Sequence, residues 1–159
     1  MKTTLRTALA GLALAAFALA PGAVLASDPS MGTWKLNVAK SKFSPGPAPK
    51  NITTTFEPSG KGVKWTGVRV NEDGKSSKAE FTANYDRKDY PVKGSPTTDA
   101  VALRRINALT TERINKKDGN VVSTEIREVA KNGKSYVTTV KGKTANGEPI
   151  DNRMVFDKQ

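Results

Sequence analysis

The sequence predicts an all-β protein, an antiparallel up-and-down β-barrel of about 8–10 strands, and three observations carry that prediction. After residue 26 no window of eleven or more residues keeps an apolar 3.6-residue period, whereas short alternating runs recur to the end of the chain. Most of the links between those runs read as hairpin turns, four of them built on Asp-Gly or Asn-Gly, which supply the positive φ that tight turns require. The 159-residue chain is only 36% hydrophobic, below the usual ~45–50%. A sheet closed on itself tolerates this, because only alternate residues of each strand face its interior.

Residues 1–26 are read as a signal peptide rather than as part of the fold. Lys2 and Arg6 open a basic start, an apolar run from Thr7 to Leu19 follows, and Pro21-Gly22 precedes the small-residue pattern Val24-Leu25-Ala26. The run is too short and too interrupted to anchor the chain in a bilayer. Cleavage near Ala26 removes 26 of the 159 residues and leaves a single domain, 27–159, of 133 residues. The leader takes Lys2 and Arg6 with it, so the charge falls from +11 to +9. The expected mature protein is exported, periplasmic or extracellular, without a transmembrane segment, and monomeric.

The first strand is residues 32–37, Gly-Thr-Trp-Lys-Leu-Asn. Residues 38–50 then read as a connection whose second half, with Pro45, Pro47 and Pro49, has polyproline character. Strands follow over 52–57, 63–70, 78–85 and, briefly, 88–92. After the turn Lys93-Gly94-Ser95-Pro96 they resume over 99–106, 109–115, 121–129, 136–141 and 150–156. The turns between them include Glu72-Asp73-Gly74, Asp118-Gly119, Asn132-Gly133 and Asn146-Gly147. Links this short join only antiparallel neighbours. A meander of ten strands leaves exposed edges unless it closes, so closure is expected, with an open sandwich as the alternative.

Composition removes most chemistry. With no histidine and no cysteine there is no Ser-His-Asp or Cys-His unit, no histidine-ligated metal or haem, and no disulfide. No P-loop, Rossmann glycine pattern or calcium loop is present. An acid pair such as Glu112 with Glu125 on adjoining strands is the residual enzymatic option. The chain is therefore read as a non-enzyme, with no catalytic residue, no metal and no cofactor.

Binding remains, and arginine marks where. Lysines crowd the turns, whereas five of the seven arginines after the leader fall inside second-half strands: Arg104, Arg105, Arg113, Arg127 and Arg153. In the last strand Ile150, Asn152, Met154 and Phe156 share the face expected inside, which puts Arg153 outside. Adjacent Arg104 and Arg105 must face opposite sides. A guanidinium inside a barrel offers a permanent charge and a bidentate fork to an anionic group. Arg105 and Arg127, then Arg113, are the candidates for that role. The competing reading pairs these arginines with Glu112, Glu125 and Glu128 on the wet face. Among the scarce aromatics, Trp34 is expected to plug one end. Trp65, Phe81 and Tyr136 line a cavity or fill a core.

Gly32-Thr33-Trp34-Lys35-Leu36, followed by about ten antiparallel runs ending in Met154-Val155-Phe156-Asp157-Lys158, resembles the calycin superfamily. The likeness is to its lipocalin and fatty-acid-binding-protein group, as a secreted bacterial lipocalin-like domain. In that group a Gly-x-Trp of the first strand closes one end of the barrel, so the resemblance implies a closed barrel holding a small hydrophobic or anionic amphipathic ligand. Two departures matter. Residues 38–50 are too short and proline-rich for the group's two lid helices. The group's carboxylate-binding Arg-x-Tyr aligns here with Met154 and Phe156, and Arg153 is out of phase. The family's ligand site therefore does not carry over.

Two functions remain. The first is a periplasmic or secreted binding protein with its ligand in the barrel. The second is a filled barrel whose cationic surface contacts anionic lipid, polysaccharide or protein. Nucleic acid is not an expected partner, because the aromatics are not interleaved with a basic stripe. Asn51-Ile52-Thr53 also fits a glycosylation acceptor pattern.

Overall fold

The computed structural model describes residues 28–159, so the expected leader lies outside the described residues. Ten strands follow one another: β1 Gly32–Leu36, β2 Asn51–Ser59, β3 Gly62–Val70, β4 Ser76–Asn84, β5 Asp86–Lys93, β6 Ala100–Arg105, β7 Thr110–Lys117, β8 Asn120–Val129, β9 Ser135–Lys143 and β10 Pro149–Lys158. Each pairs antiparallel with its sequence neighbour, and β1 also pairs with β10, giving a closed barrel. The open sandwich is thereby excluded. Between β1 and β2 stands a single 3-10 turn, Val38–Lys40, where lid helices were not expected.

Turn chemistry sets the hairpins. Asp118 and Gly119 both have positive φ, 50° and 76°, in the two-residue link between β7 and β8. Three other turns share one design, in which Gly74, Gly133 and Gly147 donate their N–H to the carbonyls of Asn71, Ala130 and Thr144. The short strand expected at 88–92 is longer, Asp86–Lys93, because a register irregularity between Asp86 and Asp89 carries pairing past Arg87.

One end of the barrel is closed by aromatic packing. Trp34 is fully buried, lies 4.9 Å edge-on to Tyr136, and Tyr136 stacks on Phe156 at 4.6 Å. Burying a side chain of this size contributes about 4–6 kcal/mol at 25 cal/mol per Å2. The Trp34 indole donates to the Ser30 carbonyl at 3.1 Å. The Lys158 ammonium sits 5.0 Å over the same ring. Residues 28–31 fold under this floor. Asp28 accepts hydrogen bonds from the Ser30 N–H (2.9 Å) and hydroxyl (2.6 Å), and pairs with Arg105 at 2.5 Å.

Burial opposes the ionised form of Asp28, but the hydrogen bonds from Ser30 and the charge and hydrogen bond of Arg105 outweigh it and hold its pKa below the ordinary 3.8. A depressed carboxylate pKa contributes stability above the unfolded value and loses it as pH falls through the folded one. Asp28→Asn should therefore lower stability by about 1–2 kcal/mol at pH 7, and the gap to the unmodified protein should shrink below pH 3.8. Urea unfolding at pH 7 and pH 3 reads both; an equal gap at the two pH values would remove the latch.

Candidate functional site

Above the aromatic floor the barrel is hollow, with a cavity of about 560 Å3. Its walls differ. On one side the register aligns Phe56, Trp65, Phe81 and Val92 across β2 to β5. Trp65 stacks on Phe81 at 5.1 Å. The indole leans across Gly67, and a Cβ at that position would collide with its ring, so glycine is what lets it lie along the wall.

The opposite wall, β7 to β10, is polar at three successive levels. Nearest the floor are Thr111, Arg127, Thr138 and Met154; then Arg113, Glu125, Val140 and Asn152; then Asn115 opposite Ser123. All of these line the cavity. On β7 and β8 the outward face holds Ile114 and Ile126, so the polarity there is inverted relative to an ordinary core.

The three candidate arginines have different surroundings. Arg105 points inward but lies at the closed end, with its guanidinium 4.4 Å over the Tyr85 ring and bound to Asp28. It does not line the cavity. Arg113 pairs with Glu125, which also accepts from the Asn115 amide at 2.8 Å. Its guanidinium lies 4.8 Å over Trp65 and 5.6 Å over Phe81, so it braces the polar wall against the aromatic one.

Arg127 is 8% exposed and, among the described residues, has no carboxylate within ion-pair distance. Its Nε donates to Thr111 Oγ1 at 3.2 Å, and its guanidinium sits 3.9 Å over Phe56 and 5.8 Å from the Tyr136 ring centre. Its Nη1 is buried without a partner. Burial, with Arg113 acting in the same direction, presses its pKa below the ordinary 12.5. The Tyr85 hydroxyl is likewise buried, partnerless and part of the cavity wall. Tyr136, bonded to Thr54 Oγ1 at 2.8 Å, has its phenol pushed well above 10 by burial.

Of the six sequence candidates, Arg127, Arg113, Trp65, Phe81 and Tyr136 meet in the cavity and Arg105 stays outside it. The expected wet-face pairs divide. Arg104–Glu112 (2.8 Å) lies on the outer side, whereas Arg113–Glu125 is inside. Sequence reasoning missed Phe56, Tyr85, Glu125 and Asn115 as site residues. Strand parity held the signal for Glu125, which stands two residues from Arg127 on β8 and so shares its face. Arg153 is exposed and reaches the Lys40 carbonyl, outside the barrel as expected. Asn51 of the acceptor pattern spends its amide on Thr53 at 3.2 Å.

No family and no curated protein matches this sequence. The ten-stranded closed meander is compatible with a calycin-like fold.

A buried cation without a carboxylate costs stability, whereas a paired one loses stability when its partner goes. Arg127→Met should stabilise the empty barrel by roughly 1 kcal/mol, and Glu125→Gln, which strands Arg113, should destabilise it by about 2–3 kcal/mol. Urea unfolding without ligand separates the two; a loss in Arg127→Met matching that of Glu125→Gln would mark Arg127 as structural.

Proposed function

We propose that this chain is an exported binding protein whose barrel holds a small amphipathic ligand, with the ligand's anionic group against Arg127. The observation that carries the reading is a buried guanidinium that lines a cavity of about 560 Å3 with one nitrogen unsatisfied. An isolated charge is expensive to bury, and a ligand anion offsets that cost through short, charge-assisted hydrogen bonds. The partnerless Tyr85 hydroxyl supplies a second donor to the same space. The aromatic wall receives the apolar part. Binding rather than catalysis fits a chain without histidine or cysteine.

The alternative, a cationic surface module, is favoured by a filled barrel and a free lysine patch. The barrel is not filled, since its interior holds space, and some of the turn and strand-end lysines pair with acids: Lys75 with Asp73, Lys117 with Asp99 and Lys141 with Asp151. Exposed pairs of this kind favour solubility over a focused patch.

Titration with 1-anilinonaphthalene-8-sulfonate, an amphipathic monoanion that fluoresces in apolar sites, tests the reading. One saturable site with quenching of tryptophan emission is expected. Arg127→Gln should weaken it about 10- to 100-fold, the equivalent of one charge-assisted hydrogen-bond pair. Unsaturable binding, or full affinity in the variant, removes Arg127 from the function.

A further inference from the structure

The lining of the same cavity also sets the charge of its ligand, an inference that rests on the binding reading above. We infer that the ligand is an elongated dianion with an acidic group at each end, one held at Arg127 in the depth of the barrel and the other at Arg69 at its mouth.

Charge sets the valence. Among the described residues, the charged side chains that line the cavity are three arginines, Arg69, Arg113 and Arg127, and one carboxylate, Glu125. Glu125 is committed to Arg113. Neither Arg69 nor Arg127 has a carboxylate within ion-pair distance. Glu72 and Asp73 lie near Arg69 only in the outer groove that it shares with Pro45 and Pro47, and Asp73 pairs with Lys75. Two positive charges are left in the lining, and a ligand with two negative charges balances them.

Position sets the shape. Arg127 packs on Phe56, near the floor. Arg69 lies on β3 with the parity of Trp65 and Gly67, four residues beyond Trp65, which is the cross-strand partner of Phe56. At about 3.3 Å per residue it stands ~13 Å farther along the strand. There it is exposed at the open end, its Nε donates to Asn71 Oδ1 at 2.8 Å, and Ser77 stands opposite it on β4. A single compact anion cannot meet both guanidiniums, so the two acidic groups must be held apart. The Arg113 guanidinium already lies over Trp65 and Phe81. The connecting part therefore meets the aliphatic side chains of the lining, Ile52, Ala79, Val140, Ile150 and Met154, which suit a methylene chain. The two ends differ in strength, because an ion pair at the wet mouth is worth less than one in the buried depth.

The test compares three probes on the purified protein by calorimetry: dodecanedioate, whose extended chain is long enough to reach both arginines, the monoanion dodecanoate, and hexanedioate, a dianion too short to span them. Dodecanedioate should bind about two- to fivefold tighter than dodecanoate, the worth of one exposed ion pair. Arg69→Gln should erase that advantage and leave dodecanoate and hexanedioate unchanged, and Arg69→Lys, which keeps the charge, should retain part of it. Arg127→Gln should weaken both long acids. Dodecanoate binding as tightly as dodecanedioate, or an advantage that survives Arg69→Gln, overturns the second anion site and leaves the binding function at Arg127 standing. Failure of both long acids to bind the unmodified protein overturns both.

Discussion

Closing the barrel depends on a strand of five residues that must satisfy two neighbours. β1 pairs through Gly32 to Lys35 with β2 and through Trp34 to Leu36 with β10, so the first strand supplies the bonds that would otherwise leave both edges open. Trp34 stands at that junction and turns its indole into the floor. β1 is too short to cover the whole seam. Beyond it the proline-bearing segment takes over: Lys42 bridges Arg153, the Ser44 N–H binds Asn152 at 2.8 Å, and Lys50 bonds to Val70. The seam is thus half strand and half strap, and the interior exists as a separate environment because both halves hold.

Once the interior is sealed from bulk water at one end, each charge inside needs a partner. The chain supplies them unevenly. Arg105 receives Asp28 from the segment before β1, and Arg113 receives Glu125 from the adjacent strand. Arg127 receives a threonine hydroxyl and the faces of two aromatic rings. Such an environment tolerates a cation without neutralising it, unlike the ion pairs that hold Arg105 and Arg113.

The hairpins were legible because turns are local: Asp118-Gly119 and Asn146-Gly147 need only their own backbone conformations to reverse the chain. The inward face of β10 was legible too, since Ile150, Met154 and Phe156 share one parity. On β7 and β8 that rule fails. Ile114 and Ile126 face outward, while Arg113, Glu125 and Arg127 face the cavity, although Val129, on the same parity as Arg127, is buried in the core. Reading apolar as inward therefore assigns Glu125 to the wet face, because the alternation of a strand says which residues belong together and not which set is inside.

By itself the sequence determined ten short antiparallel strands, their turns, the aromatic floor at Trp34 and the exclusion of histidine and cysteine chemistry, all consequences of residue type and of spacing along the chain. Only the tertiary structure decided that Arg127 is a buried guanidinium without a carboxylate partner and that Arg105 is spent on Asp28. Those outcomes turn on contacts between residues as far apart as 28 and 105, or 65 and 113. The registers accumulated around a closed barrel set such contacts, and no local pattern encodes them.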